Sequence, residues 1–122
     1  MTLTETDTLP IGIEVDGITH QDFELREQLV LDGVEVLEDM ETGARAAASD
    51  VFYNVAVMAK RLIRLGSLPK ASITAVLLLG MHQDDFNAIA QASQRMAARR
   101  ATFRGPAEGQ APADPGAEKA GV

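Results

Sequence analysis

The stretch Lys60–Arg100, KRLIRLGSLPKASITAVLLLGMHQDDFNAIAQASQRMAARR, decides the fold. It predicts the end of a long helix, a turn, a short apolar helix and a final amphipathic helix. Gly66 favours a helix end because glycine readily adopts a left-handed backbone, and Pro69 prevents the helix from resuming at once. This stretch offers a helical surface that is basic on one side, and it carries no catalytic motif. We therefore expect a binding or assembly role.

Capping residues set the predicted helices on either side of this turn. Upstream, alanines and a long apolar stripe predict a helix over residues 44–65, with Ser49 or Asp50 as a second candidate start. Downstream, Ser72 and Gly80 bound the short helix. The final helix is expected from about residue 83 to residue 103, because acids lie in its first turn and arginines near its end, as the helix dipole favours. We expect the stripes of the two longest helices to bury Ile63 and Phe86.

The N-terminal part of the chain alternates with the period of a strand. The alternating apolar residues are Ile11, Ile13 and Val15. Asp16-Gly17 follows, which is a strong hairpin-turn signal, and a second strand is expected from Ile18 to about Arg26. The apolar phase shifts within this second strand, which predicts a bulge or break near His20–Asp22.

From residue 29 the period changes to that of a helix. The apolar stripe consists of Val30, Val34 and Leu37, with Met40 close to it. Asp32 and Glu35 have the spacing of a capping box, so a start at Gly33 is one alternative. Gly43 is a candidate stop.

The predicted fold class is α+β, with an N-terminal β-hairpin packed on a bundle of three to four helices. We assign residues 10–104 to a single domain. Residues 1–9 are polar and Thr-rich without periodicity, so we expect a disordered lead. Residues 105–122, GPAEGQAPADPGAEKAGV, are rich in Ala, Pro and Gly and cannot bury a core, so we expect a disordered tail.

The charge is divided unevenly along the chain. Residues 1–50 carry thirteen acids against two arginines, whereas residues 51–104 carry eight bases against two acids. The simpler interpretation is that the two halves attract each other across the fold or stay solvated. The alternative is a dipolar surface that orients the protein on a partner or on copies of itself.

Several kinds of chemistry lack the residues they need. The chain has no cysteine, which excludes disulfides and thiolate zinc sites. His20 and His82 lie in different halves, so each is expected to be a surface or turn histidine and not a metal ligand. The acidic series after residue 34 lacks the spacing of a calcium loop. We expect no enzyme activity, no cofactor and no metal. Because the longest apolar run is Ala75–Leu79, no membrane span is expected either.

The order of these elements resembles the tail assembly protein family of Mu-like phages, among the tail assembly chaperones of long-tailed bacteriophages. The resemblance rests on the hairpin IGIEVDGITHQDFELREQ, the helix VLDGVEVLEDM, and a helical half with LG, a proline, a short apolar helix and a final helix ending in Arg-Arg. It spans residues 9–103. It implies a chaperone whose gene lies between those of the tail-tube and tape-measure proteins. Such a chaperone escorts the tape-measure protein in the host cytoplasm and is absent from the finished virion. Family members are often also made as a longer frameshifted product.

Our functional prediction is accordingly a non-enzymatic phage tail assembly chaperone. Successive helix residues turn by about 100°, so the short helix cannot bury its whole apolar run, and part of it should lie at a surface. The expected partner-binding residues are the bases Arg61, Arg64, Arg95 and Arg99 and the apolar Val76, Leu77, Leu78 and Leu79. Two alternatives stay open: a structural or adaptor component retained in the virion, and a small nucleic-acid-associated regulator that uses the basic half. Self-association is a further expectation, and nucleic-acid binding is the least favoured.

Overall fold

The computed structural model describes residues 3–104 and shows an α+β fold. Its elements are β1 (Thr4–Val15), β2 (Ile18–Arg26), α1 (Val30–Glu38), α2 (Gly43–Ala48), α3 (Asp50–Arg61), β3 (Leu62–Leu65), a 3-10 turn (Lys70–Ser72), α4 (Ala75–Leu79) and α5 (Gln83–Arg104). The strands form one antiparallel sheet in the order β1-β2-β3. The predicted fold class, a hairpin packed on helices, is confirmed. The predicted disordered tail, residues 105–122, lies outside the described residues, as do residues 1 and 2.

The hairpin turn is where the sequence predicts it. Asp16 and Gly17 both have positive φ, at 53° and 80°, and Val15 pairs with Ile18 across the turn. Two central residues with positive φ match the right-handed twist of the flanking strands, and Asp-Gly accepts this conformation at low cost. The second strand also has the predicted limits.

The predicted disordered lead is wrong for residues 4–9, which form the first half of β1. Thr4–Thr8 pairs in register with β2, and Leu9 is completely buried. On the strand face shared with Leu9, the side chains of Glu5 and Asp7 point toward arginines of α5. The prediction failed because an acidic residue in a polar segment indicates exposure to solvent unless the distant base that pairs with it is known.

The predicted break near His20–Asp22 falls on the partner strand instead. The register jumps between the pairs Thr8–Asp22 and Ile13–His20, so extra residues of β1 lie opposite a continuous β2. Gly12 makes this possible with a φ of 99°, and a Cβ there would collide with the side chain of Gln21. Glycine is needed at this position both for its conformation and for its size.

The predicted helix over residues 44–65 is interrupted at Ser49 and ends four residues early, and the second candidate start, Ser49 or Asp50, is confirmed as the start of α3. Gly43 begins α2 and does not stop α1, which ends at Glu38. Ser49 has an extended backbone and its Oγ accepts the backbone N–H of Phe52 at 3.2 Å, so it separates α2 from α3 as an N-cap. The last four residues, Leu62–Leu65, join the sheet as β3, because pairing with β2 buries the leucines at both of its ends completely.

The last two helices agree with the sequence apart from one boundary. The short helix begins at Ala75 and is capped by Thr74, whose hydroxyl accepts the N–H of Leu77. Ser72, the expected cap, ends the 3-10 turn instead. Gly80 is the C-cap as predicted, and α5 has the predicted limits to within one residue.

The core lies between the sheet, α3 and α5 and is mainly aliphatic. Its largest fully buried apolar side chains are Leu9, Phe23, Leu25, Leu62, Leu65, Ile89, Met96 and Val36. Ile63 was expected in the core but is 42% exposed, because β3 turns both of its leucines inward and leaves Ile63 outside. Phe86 is half-buried against the core and not enclosed by it.

Candidate partner-binding surface

The four arginines predicted to form a basic rim do not gather on one free surface. Arg61 is buried, where its guanidinium donates to the carbonyl oxygen of Arg26 and to the Ser93 hydroxyl, and burial lowers its pKa. Arg64 is exposed on β3. Arg95 and Arg99 are half-exposed on α5 and form ion pairs with acids of β1.

Charges from the two halves of the chain pair with each other across the fold. Arg95 Nε lies 2.9 Å from Glu5 Oε2, and its Nη2 lies 2.7 Å from Asp7 Oδ2. Arg99 also contacts Glu5, and Arg100 contacts Glu27 through two hydrogen bonds. These contacts lower the pKa of Glu27 and raise that of Arg95. The simpler interpretation of the charge pattern is therefore correct for these acids, and it removes most of the predicted basic rim.

The apolar run of α4 behaves as the helix geometry requires. Leu78 is buried and Leu77 is half-buried, whereas Val76 and Leu79 are 70% and 43% exposed. The prediction that part of this run lies at a surface is confirmed. Leu78 itself belongs to the core, so it does not lie on a free binding surface.

Within residues 3–104, α1 exposes several apolar side chains on one side, and the sequence prediction of binding residues missed them. The side chains of Val30, Leu31, Val34 and Leu37 are 42% to 90% exposed, and we call these four residues the α1 face. Leu37, Val30 and Val34 fall within about 60° of one another around the helix, and Leu31 lies about 60° beyond Val34. The predicted stripe is thus real, but it faces outward. Met40, just beyond the helix, is fully exposed.

The inner side of α1 is held mostly by polar and close-packed contacts. Arg26 forms a two-point ion pair with the buried Asp32, at 2.9 and 2.7 Å, and this hydrogen bond lowers the pKa of the carboxyl. Asp32 Oδ2 also accepts the N–H of Leu29 at 2.8 Å. Gly33 lies against the hydroxyl of Tyr53, so closely that a Cβ would collide with it. Because this side fixes the orientation of α1, the apolar residues on its other side have nowhere to go but outward.

Acidic side chains lie along one side of the α1 face and beyond its C-terminal end. Glu38 lies between Val34 and Leu31 around the helix, and Asp39 and Glu41 follow in the next loop; all three are exposed. Glu35 is paired with Lys60 at 3.3 Å. None of the ion pairs found within the described residues neutralises Glu38, Asp39 or Glu41. The surface therefore combines an apolar stripe with the carboxylate of Glu38, whereas Asp39 and Glu41 also line the pocket behind α1.

A pocket of about 400 Å³ behind α1 is lined by charges of both signs, including Arg26, Asp39, Lys60 and Lys70. Burial lowers the pKa of Lys70, and the neighbouring Arg26 and Lys60 lower it further. A lysine with a lowered pKa in a pocket is a feature of many active sites. Here, however, its ammonium donates to the carbonyl oxygens of Ala59, Lys60 and Leu62, so it ties down the end of α3.

The histidines do not converge on a site. His20 was expected at the surface but is buried, and its Nδ1 accepts the N–H of Ser67 at 3.2 Å. His82 is exposed, and its Nδ1 accepts the N–H of Asp84 at 3.0 Å. Among the described residues there is no group of three His, Asp or Glu side chains placed to hold a metal ion.

None of the helices within residues 3–104 combines the length and the apolar character needed to cross a bilayer.

Comparison with known proteins adds no relative. No protein-family model matches the chain, and searches of curated proteins and of solved structures likewise found no match.

Proposed function

We propose that this protein is a non-enzymatic assembly chaperone that holds a helical segment of a larger client by protein–protein contact. The observation that carries the proposal is the α1 face, four aliphatic side chains exposed on one side of a helix whose other side is fixed to the domain. Exposed apolar residues are ordinary when scattered singly, but a contiguous set on one element is typical of an interaction site. An exposed helix face of this kind suits a client helix that packs against it.

The resemblance to the tail assembly proteins of Mu-like phages suggests the client. On that basis we propose that the protein escorts the phage tape-measure protein in the host cytoplasm and leaves before the virion is complete. A contact through four exposed aliphatic residues of one short helix suits a reversible association better than a permanent one. Phage tail proteins are therefore the expected partners.

The regulator alternative is weakened by the pairing of the arginines. Nucleic-acid binding needs bases that are free to neutralise phosphates. Arg61 is buried, and Arg95 and Arg99 already neutralise Glu5 and Asp7.

Co-expression tests the proposal. The tape-measure protein, produced with and without this chain, should be recovered in soluble form mainly when the chain is present, and the two should co-purify. Mass spectrometry of purified particles should not find the chain. A chain present in finished particles would make it a structural component, and a tape-measure protein that stays insoluble with no co-purification would refute the chaperone function.

A further inference from the structure

The α1 face carries more information about its occupant than its apolar character alone. Val30 is 90% exposed, although it opens a helix that is well anchored. Packing requirements within the domain do not explain it, because the anchoring contacts come from Asp32, Gly33 and Val36 on the opposite side. An apolar stripe that the fold does not bury is suited to contact another molecule.

The charge around the stripe restricts what that molecule can be. Glu38 stands within the α1 face, and no ion pair to it is found in the described part of the chain. Asp39 and Glu41 lie just beyond its C-terminal end and also line the pocket behind α1, and Asp39 Oδ1 accepts the N–H groups of Glu41 and Thr42. An occupant that covers this face brings its own flanking groups close to these carboxylates. Opposite charge there attracts the partner and fixes its position, whereas like charge is costly.

Two occupants from this chain fit poorly. The tail, residues 105–122, contains no Leu, Ile, Met or Phe to fill the stripe, and its three acids outnumber its one lysine. A second copy docked symmetrically through the same face would present the same patch, because a two-fold contact uses one surface on both copies. That patch carries the exposed acids Glu38, Asp39 and Glu41. Both arrangements bring negative charge to a negative surface.

We propose that the α1 face binds a basic amphipathic helix, that is, an aliphatic stripe flanked by lysine or arginine. The aliphatic stripe covers the α1 face, and the flanking cations contact Glu38, Asp39 and Glu41. This inference rests on the proposed chaperone function and specifies the chemistry of the client segment. It also moves the binding site from the predicted arginines to α1.

Binding of synthetic helices to the full-length protein tests this directly. Two fluorescent peptides carry the same leucine stripe, flanked by lysines in one and by glutamates in the other. At low salt the lysine peptide should bind at least about tenfold more tightly than the glutamate peptide. This difference in affinity should decrease as added salt screens the charges. Equal binding of the two peptides, or a preference for the glutamate peptide, would overturn the proposal.

Matched variants locate the site. The double variant Val30→Gln, Leu37→Gln changes the α1 face, and Val76→Gln, Leu79→Gln changes a valine and a leucine of similar exposure on α4. All four positions are exposed, so both proteins should fold, which circular dichroism checks. The α1 variant should bind the lysine peptide about tenfold or more weakly than the unchanged protein does. The affinity of the α4 variant should stay within about twofold of the unchanged protein. The reverse result would place the site on α4 and refute the proposal.

Charge reversal tests the acidic contribution separately. Glu38→Lys should erase or invert the preference for the lysine peptide, whereas Glu14→Lys, an equal charge change on β1, should leave it in place. If client solubility in co-expression survives but Glu38→Lys changes nothing, the chaperone function stands and the basic-helix inference fails. If the peptides behave as expected but no tail protein co-purifies, the surface is right and the proposed client is wrong.

Discussion

Replacing Asp85 with alanine should destabilise the domain more than its position in the first turn of α5 suggests. Asp85 is completely buried, and its two oxygens accept the backbone N–H groups of Ile11 and Gly12 at 2.9 Å each. These groups lie in the bulge of β1, where the ladder to β2 is interrupted. One carboxylate thus supplies the hydrogen bonds that the bulge removes, and it fastens α5 to the sheet.

The expected magnitude follows from the two bonds. A hydrogen bond to a charged group contributes about 1.5–3 kcal/mol, and a partner left unpaired in a buried place costs about 1–3 kcal/mol. The bulge is partly accessible, so water can replace some of the lost hydrogen bonding. We therefore expect Asp85→Ala to lower the free energy of unfolding by about 2–4 kcal/mol. Urea denaturation of the full-length chain measures it.

Asp84 is the matched control. It occupies the same turn, but its side chain is 67% exposed. Asp84→Ala loses a favourable interaction with the helix dipole, about 0.3–1 kcal/mol, and an exposed contact with His82 at 3.8 Å. If Asp85→Ala cost no more than Asp84→Ala, the bulge would not depend on the carboxylate and our account of how α5 is attached would be wrong.

Three further predictions concern the core and α1. The Arg26 partner lowers the pKa of Asp32, so the stabilisation that this ion pair provides is present above the unfolded pKa of about 3.9 and is lost as pH falls through the lower folded value. In urea titrations below pH 5, the free energy of unfolding of Asp32→Asn should therefore depend less on pH than that of the unchanged protein. An unchanged pH dependence would contradict this. Leu62→Ala should cost about 2–5 kcal/mol and Ile63→Ala about 1 kcal/mol or less, since Leu62 is buried and Ile63 is not; equal costs in denaturation would refute that assignment. Gly33→Ala should destabilise by about 1–3 kcal/mol through collision with the Tyr53 hydroxyl, and in a double-mutant cycle Tyr53→Phe should reduce this loss; purely additive costs would point to another cause.

Local signals identified many of the elements correctly. Asp16-Gly17 specified its turn, and Gly80 ended α4, because each acts through its own backbone conformation or its immediate neighbours. What failed depended on distant contacts. Ser49 was identified as a candidate cap, but the sequence left open whether a helix continued through it. Leu62–Leu65 is as compatible with a helix end as with an edge strand until β2 is placed beside it.

The candidate site shows the same division between local and distant information. Periodicity identified the apolar stripe of α1 correctly, but a period says which residues share a face and not which way that face points. Its direction was decided by Arg26, which pairs with Asp32 on the other side, and by Gly33, which allows close approach to α3. Asp32 and Gly33 together allow the more polar side of α1 to pack closely against the domain, because one forms the ion pair and the other leaves room for Tyr53. That combination was visible in the sequence, yet its meaning depended on where the arginine would lie.

The same reasoning explains why the negative charge of the chain carries functional information after folding. Acids of the N-terminal half that lie near α5 are paired with its arginines, so they serve the fold. Glu38, Asp39 and Glu41 remain without an ion pair in the described residues although bases are available elsewhere in the domain. Clustered carboxylates beside an apolar stripe repel one another and add nothing to the burial of the core. Asp39 has a role in the fold, because its Oδ1 accepts the N–H groups of Glu41 and Thr42. For Glu38 and Glu41 we propose a partner whose positive charges complete the surface, which is the arrangement that the paired peptides distinguish.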